Sequence, residues 1–236
     1  MKGLFVAGTD TGVGKTFVAS ALCRALRRSG RRVVGLKPFE TGCDPVAADA
    51  EALEAEARSG VPLELRCPFR YRAPVAPAVA AEREGRPAEG SVFDAAAAAL
   101  RRAARGRFAV VEAAGGLLVP IDGEHTNLDL IATLDLPVIL VGRNALGTLN
   151  HCGLSVEALR RRRIPVEAIV LSRGRLPADA SQAGNARWLR RLWDVPVIEL
   201  PATTVGRASG GLARQLFPDL AQASAGGRAG RRMAAG

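Results

Sequence analysis

Nine residues near the N-terminus, Gly8-Thr9-Asp10-Thr11-Gly12-Val13-Gly14-Lys15-Thr16, constrain this chain more than any other segment. They follow a short apolar run and open a stretch with helical spacing, the context a phosphate-binding loop requires. Glycines let successive N–H groups turn inward around phosphate oxygens, and a helix N-terminus adds partial positive charge. Lys15 is expected to reach the β- and γ-phosphates, and the Thr16 hydroxyl to ligate Mg²⁺. The backbone of Asp10, Thr11, Gly12, Val13 and Gly14 would line the nucleotide. Gly8 to Gly14 is one residue longer than in the usual G-x-x-x-x-G-K-[ST].

Beyond that loop, short aliphatic runs alternate with longer helical stretches. Strands are expected over 3–7, 32–36, 108–112, 137–141, 168–171 and 196–200, and helices over 15–28, 47–59, 91–104, 128–133, 149–163 and 180–192. The runs are continuous rather than alternating, which suits strands buried on both faces. The expected fold is α/β, one P-loop-type domain with a mostly parallel sheet flanked by helices on both faces. Residues 67–87 carry Pro68, Pro74, Pro77 and Pro87 and are read as an irregular surface excursion lining a site. The domain is taken to span 1–223, and the Gly/Ala/Arg-rich residues 224–236 to be a disordered tail.

Two further strand ends carry chemistry. Lys37, in Leu36-Lys37-Pro38-Phe39-Glu40-Thr41-Gly42, would bring a second ammonium to the transferred phosphoryl group. Glu112, in Val110-Val111-Glu112-Ala113-Ala114-Gly115-Gly116, is the strand-end acid that would hold Mg²⁺. Asp49 reads by itself as a helix N-terminal acid. The chain has only three lysines, Lys2, Lys15 and Lys37, among 33 basic residues, and two of them stand where these motifs need a compact point charge.

The formal charge of +10 invites a polyanionic partner. Its arginines, however, cluster at a turn, a helix end and the tail. Aromatic residues make up 4%, too few for stacking platforms, so no nucleic-acid partner is expected. Nor is a membrane, since no apolar run reaches spanning length and no signal peptide is visible; the expected location is cytoplasmic. The four cysteines show neither metal-ligand nor disulfide spacing. Neither His125 nor His151 sits in a recognisable catalytic arrangement.

With these residues in view the chain resembles the dethiobiotin synthase family nearly throughout, to about Pro201. The family's G-T-D-T-x-V-G-K-T is matched by Gly8–Thr16, its K-P-x-x-[ST]-G by Lys37–Gly42, and its V-E-G-A-G-G by Val111–Gly116. Its E-G-R-P matches Glu84–Pro87, its L-P-V-I-L-V Leu136–Val141, and its L-G-x-[IL]-N-H Leu146–His151. The resemblance implies an ATP-dependent cyclo-ligase forming C–N bonds: 7,8-diaminononanoate, CO₂ and a nucleoside triphosphate give dethiobiotin, with Mg²⁺ as cofactor. Carried over by position, Lys15, Lys37 and Thr11 are catalytic, and Thr16, Asp49 and Glu112 hold Mg²⁺. Thr41, Gly115 and Gly116 contact the substrate, and Ser172 and Pro201 the nucleotide. Leu146 and Asn150 would meet the substrate's carboxylate tail from a partner subunit, which implies a homodimer.

Two positions depart from the family pattern. Ala113 stands where the family has glycine, and is expected to tighten the backbone near the metal. Ser172 stands where the family commonly has an adenine-reading Asn, and a hydroxyl lacks an amide's paired donor and acceptor. CTP or GTP is therefore expected to serve comparably to ATP. A dimeric switch of the partition or site-selection ATPase type shares this loop family. Its signature lysine is replaced here by Asp10, and Thr11 replaces its first glycine. Amidating ligases of corrinoid synthesis normally add a glutaminase domain, for which this chain is too short.

Overall fold

The computed structural model describes residues 1–86, 91–174 and 180–218. Six strands form one all-parallel sheet: β1 (Gly3–Gly8), β2 (Val33–Leu36), β5 (Phe108–Gly116), β6 (Val138–Arg143), β7 (Val166–Ser172) and β8 (Val197–Leu200), in the order β2-β5-β1-β6-β7-β8. They are the six expected from sequence, several of them longer. A separate two-stranded parallel ribbon joins β3 (Phe39–Thr41) to β4 (Phe69–Tyr71).

Strand side chains alternate between two apolar layers, as a period of two dictates. Phe5, Ala7, Val111, Leu140 and Leu171 face one layer, with Leu100, Leu130, Val156 and Leu189 from α5 (Ser91–Ala103), α6 (Asn127–Leu134), α7 (Thr148–Arg161) and α8 (Gln182–Trp193). Val6, Val110, Ile139 and Val170 face the other, with Leu22, Leu53 and Leu212 from α1 (Lys15–Arg28), α2 (Ala48–Ala57) and α9 (Val205–Leu216). Burial on both faces explains the continuous aliphatic runs. No described helix is long and apolar enough to cross a membrane.

Several elements depart from the sequence expectation. Residues 67–86 are more regular than their prolines suggest: they hold β4 and α4 (Pro77–Arg83), with α3 (Leu63–Arg66) just before. Pro77 stands in the first turn of α4, where its missing N–H costs nothing. Also unexpected is α9, hidden by Gly206, Gly210 and Gly211, which lower helix propensity. Thr204 caps it, and Ala208 and Leu212 bury against the α1 layer. Pro87, the tail from 224 and the domain end at 223 lie outside the described residues.

Candidate active site

The carboxyl ends of β1, β2 and β5 open onto one cavity of about 530 Å³, where open α/β sheets bind their ligands. The phosphate loop forms one wall. Gly14 takes φ 100° at the N-cap of α1, a left-handed conformation that a side chain would strain. Gly8 is needed for closeness instead, since a Cβ there would stand 2.8 Å from Lys15 Cδ. Lys15 Nζ donates to the Asp10 carbonyl at 2.8 Å. Burial, helped by the nearby Lys37 charge, pulls its ammonium down to about 8.

Opposite Lys15 lies a compact charged cluster. Thr16 Oγ1 stands 2.9 Å from Asp49 Oδ1 and 2.8 Å from Glu112 Oε1. Lys37 Nζ donates to Asp49 Oδ2 and Glu112 Oε1, both at 2.6 Å. Burial alone would lower the Lys37 ammonium, but these two carboxylates outweigh it and hold the group charged. Burial also pushes the Asp49 carboxyl up, and the adjacent Lys37 reverses that, leaving it below its usual range. Burial raises the Glu112 carboxyl, with Lys37 opposing.

This donor set fits a small hard cation. Glu112 is fully buried, and its Oε2 has no hydrogen-bond partner. The single Thr16 hydroxyl proton cannot serve both carboxylates at once, so one of its two short contacts lacks a donor. All the groups are oxygen donors, as Mg²⁺ prefers. Among the described residues no group of three or more His, Cys, Asp or Glu gathers anywhere, so such an ion needs the Thr16 hydroxyl and the ligand's own phosphate oxygens to complete its shell.

Sequence reasoning placed Thr11, Gly12, Gly14, Lys15, Thr16, Lys37, Thr41, Asp49, Glu112 and Gly115 together, and all of them line this cavity. Gly116 lies just behind, 3.5 Å from the Thr9 carbonyl as measured from a notional Cβ. Asp10 is exposed on the loop outside that lining, where its Oδ1 accepts from the Thr11 N–H at 2.7 Å. Five further expected residues stand apart from the cavity lining. Val13 is buried in the α1 layer. Pro201 is exposed at the end of β8. Leu146 and Asn150 are exposed at the start of α7, and Leu146 leaves 89% of its surface open. Ser172 is buried against the back of the loop, 3.0 Å from where a Gly14 Cβ would be.

Ala113 turns its side chain away from the carboxylate cluster. Its methyl is fully buried in the layer shared with Val111 and Phe5, the face opposite Glu112, so it packs the core rather than crowding the carboxylate. Its carbonyl still accepts from Lys37 Nζ at 3.4 Å.

Several contributors escaped the sequence reading. Pro74, Val75 and Ala76 line the cavity, in keeping with the expected site-lining excursion, and Phe39 and Val119 join them. Asn127, fully buried, donates Nδ2 to the Ala114 and Gly116 carbonyls and holds the glycine turn. Its only sequence signal is its place inside the Thr126/Asp129 capping box of α6. His125 pairs with Asp122 at 3.0 Å and stacks on Phe93, a loop-holding role. All four cysteines are buried and free.

Residues 2–202 match a family described as an AAA domain. ATP-dependent dethiobiotin synthetase BioD of Anaeromyxobacter dehalogenans (strain 2CP-C) is 52% identical over 194 residues, 81% of this chain and 86% of that protein. The chain belongs to the dethiobiotin synthetase family. The proteins of the same name from Haloferax mediterranei and Caulobacter vibrioides (strain NA1000 / CB15N) are 39% and 38% identical, covering 86% and 89% of this chain and 84% and 96% of theirs. Among solved structures, the signal recognition particle receptor FtsY of Elizabethkingia anophelis superposes with TM-score 0.51 at 18% identity, over 94% of this chain and 65% of that one. Signal recognition particle 54 kDa protein of Aeropyrum pernix K1, solved with GDP, gives 0.52 at 18%, over 94% and 48%. These two share the fold of this chain, a parallel sheet flanked by helices.

Proposed function

We propose that the cavity makes dethiobiotin from 7,8-diaminononanoate, CO₂ and ATP. One substrate amine adds to CO₂ and loses a proton, giving a carbamate. A carbamate oxygen takes the γ-phosphoryl group from ATP, and ADP leaves. The second amine then attacks the carbonyl carbon, and phosphate departs as the cyclic urea closes. The substrate supplies both nucleophiles, so no side chain lining the cavity has to form a covalent intermediate. The observation that carries this reading is the pair of buried ammonium groups, Lys15 and Lys37, on one cavity with the Thr16–Asp49–Glu112 oxygens. Carbamate and γ-phosphate are both anions, and preorganised positive charge offsets their repulsion.

Mg²⁺, held by Thr16, Asp49 and Glu112, would neutralise charge on the triphosphate. Thr11 joins Lys15 and Lys37 at the transferred phosphoryl group. Thr41, Gly115 and Gly116 receive the amines and the carbamate. Leu146 and Asn150 serve the neighbouring protomer of a cytoplasmic homodimer; exposed Leu146 and Leu154, at 89% and 60%, support an apolar contact there. Pro201 and Ser172 border the base, and a serine packed on Gly14 supports relaxed base choice.

Incubation with diaminononanoate, bicarbonate, Mg²⁺ and each of the four triphosphates tests both points. A ureido product with ATP, and kcat/KM values for CTP or GTP comparable to that for ATP, are expected. Nucleotide hydrolysis without added carbonyl mass would refute the reaction, and strong preference for ATP would refute relaxed base choice.

A further inference from the structure

The helix that carries Asp49 lacks a cap of its own. Ala47 occupies the N-cap of α2, and no side chain there accepts a hydrogen bond. Two of the first free N–H groups are instead met from across the cavity. Glu40 Oε1 accepts from the Asp49 N–H at 2.8 Å, and Oε2 accepts from the Ala50 N–H at 2.9 Å. Glu40 itself is 5% exposed, and burial raises its carboxyl above the usual range. A buried carboxylate is a costly way to cap a helix that a serine or aspartate at 47 could cap locally.

Its position explains what the local cap could not do. Glu40 lies three residues beyond Lys37 on the same segment, whose Nζ holds Asp49 Oδ2 at 2.6 Å. Asp49 is thus gripped twice from residues 37–40, by its carboxylate and by its own backbone N–H. Thr16 takes its remaining oxygen at 2.9 Å. A local cap would finish the helix while leaving it free to shift relative to Lys37 and Thr16. Glu40, in β3, ties the start of α2 to the segment between β2 and β3 that carries the phosphoryl-facing lysine.

We propose that Glu40 is a positioning residue for the metal, fixing the Asp49 carboxylate through the backbone of α2. The inference rests on the reading that Asp49 helps hold Mg²⁺. In the full-length chain, Glu40→Ala and Glu40→Gln are compared with wild type by Mn²⁺ titration, read by electron paramagnetic resonance with a non-hydrolysable ATP analogue bound. Glu40→Ala should weaken Mn²⁺ binding about tenfold or more, and Glu40→Gln, which keeps one acceptor oxygen, by less. Amide exchange at Asp49 and Ala50 should quicken, while ADP binding in EDTA stays unchanged because the loop is untouched. The Mg²⁺ concentration for half-maximal product formation should rise in step, with KM for diaminononanoate held within about twofold. Mn²⁺ affinity in Glu40→Ala within about twofold of wild type would overturn the proposal, even if the melting temperature fell. Should Glu40→Ala fail to fold, unchanged affinity in Glu40→Gln overturns it equally. Wild-type turnover without any divalent cation would instead remove the metal reading beneath it.

Discussion

Lys15 and Lys37 are both buried ammonium groups on the same cavity, yet their surroundings push them in opposite directions. Lys37 sits between Glu112 and Asp49 at 2.6 Å each and stays charged. Lys15 has only a backbone carbonyl as partner, and burial brings it down to about 8. A bound polyphosphate favours the charged form, so nucleotide binding must raise that value. Below about 8 the lysine is already charged and affinity is flat, whereas above about 8, up to the raised value in the complex, binding takes up a proton. Affinity for MgATP should therefore fall as pH rises through that window. Calorimetry in two buffers of different ionisation enthalpy should find uptake approaching one proton near pH ~9 and close to none near pH ~7. No uptake at the higher pH would mean that Lys15 is not the group meeting the phosphates.

Among the elements, α2 carries Asp49 to the site without a side-chain cap at its own N-cap residue. Its cap is borrowed from Glu40, and Leu53 packs it directly on β2 at Gly35, where a Cβ would come within 2.6 Å of Leu53 Cβ. Only a strand residue without a side chain allows that approach. Gly35→Ala should push α2 outward and cost about 1–3 kcal/mol in stability, read as a lowered melting temperature. Because Asp49 rides on the same helix, the Mg²⁺ requirement should rise as well. A variant that loses stability with an unchanged Mg²⁺ requirement would show that the helix end is held independently of its packing.

For the whole molecule, the open question is how the exposed start of α7 contributes. Leu146 and Asn150 lie outside the cavity lining of their own chain, which fits a site completed by a second copy. Lys15→Ala and Leu146→Ser should each abolish or sharply reduce turnover. Mixed and allowed to exchange, they should regain about a quarter of wild-type activity, since half of randomly paired dimers then hold one intact site in two. Failure to complement, in a sample shown to exchange subunits, would place Leu146 outside the shared site.

The phosphate loop, the six sheet strands and the charged residues Lys37 and Glu112 were legible in the sequence, although β5 runs four residues past Glu112, where the sequence pattern alone would end it. Each rests on a local rule: glycines for inward N–H groups, continuous aliphatic runs for strands buried on both faces, charge at the carboxyl end of a strand. Asp49 illustrates the limit, since by composition it is an ordinary helix-start acid. Only the fold brings it to 2.6 Å from a lysine twelve residues back, on a helix capped by a glutamate nine residues back. Ala113 and Ser172 make the same point in reverse. Their identities were visible, but which face of β5 the methyl occupies, and that the hydroxyl packs on Gly14, follow from strand parity and sheet order. Local chemistry thus named the reacting groups. Their distances, their charge states and the device that holds Asp49 came from long-range packing, which no window of sequence contains.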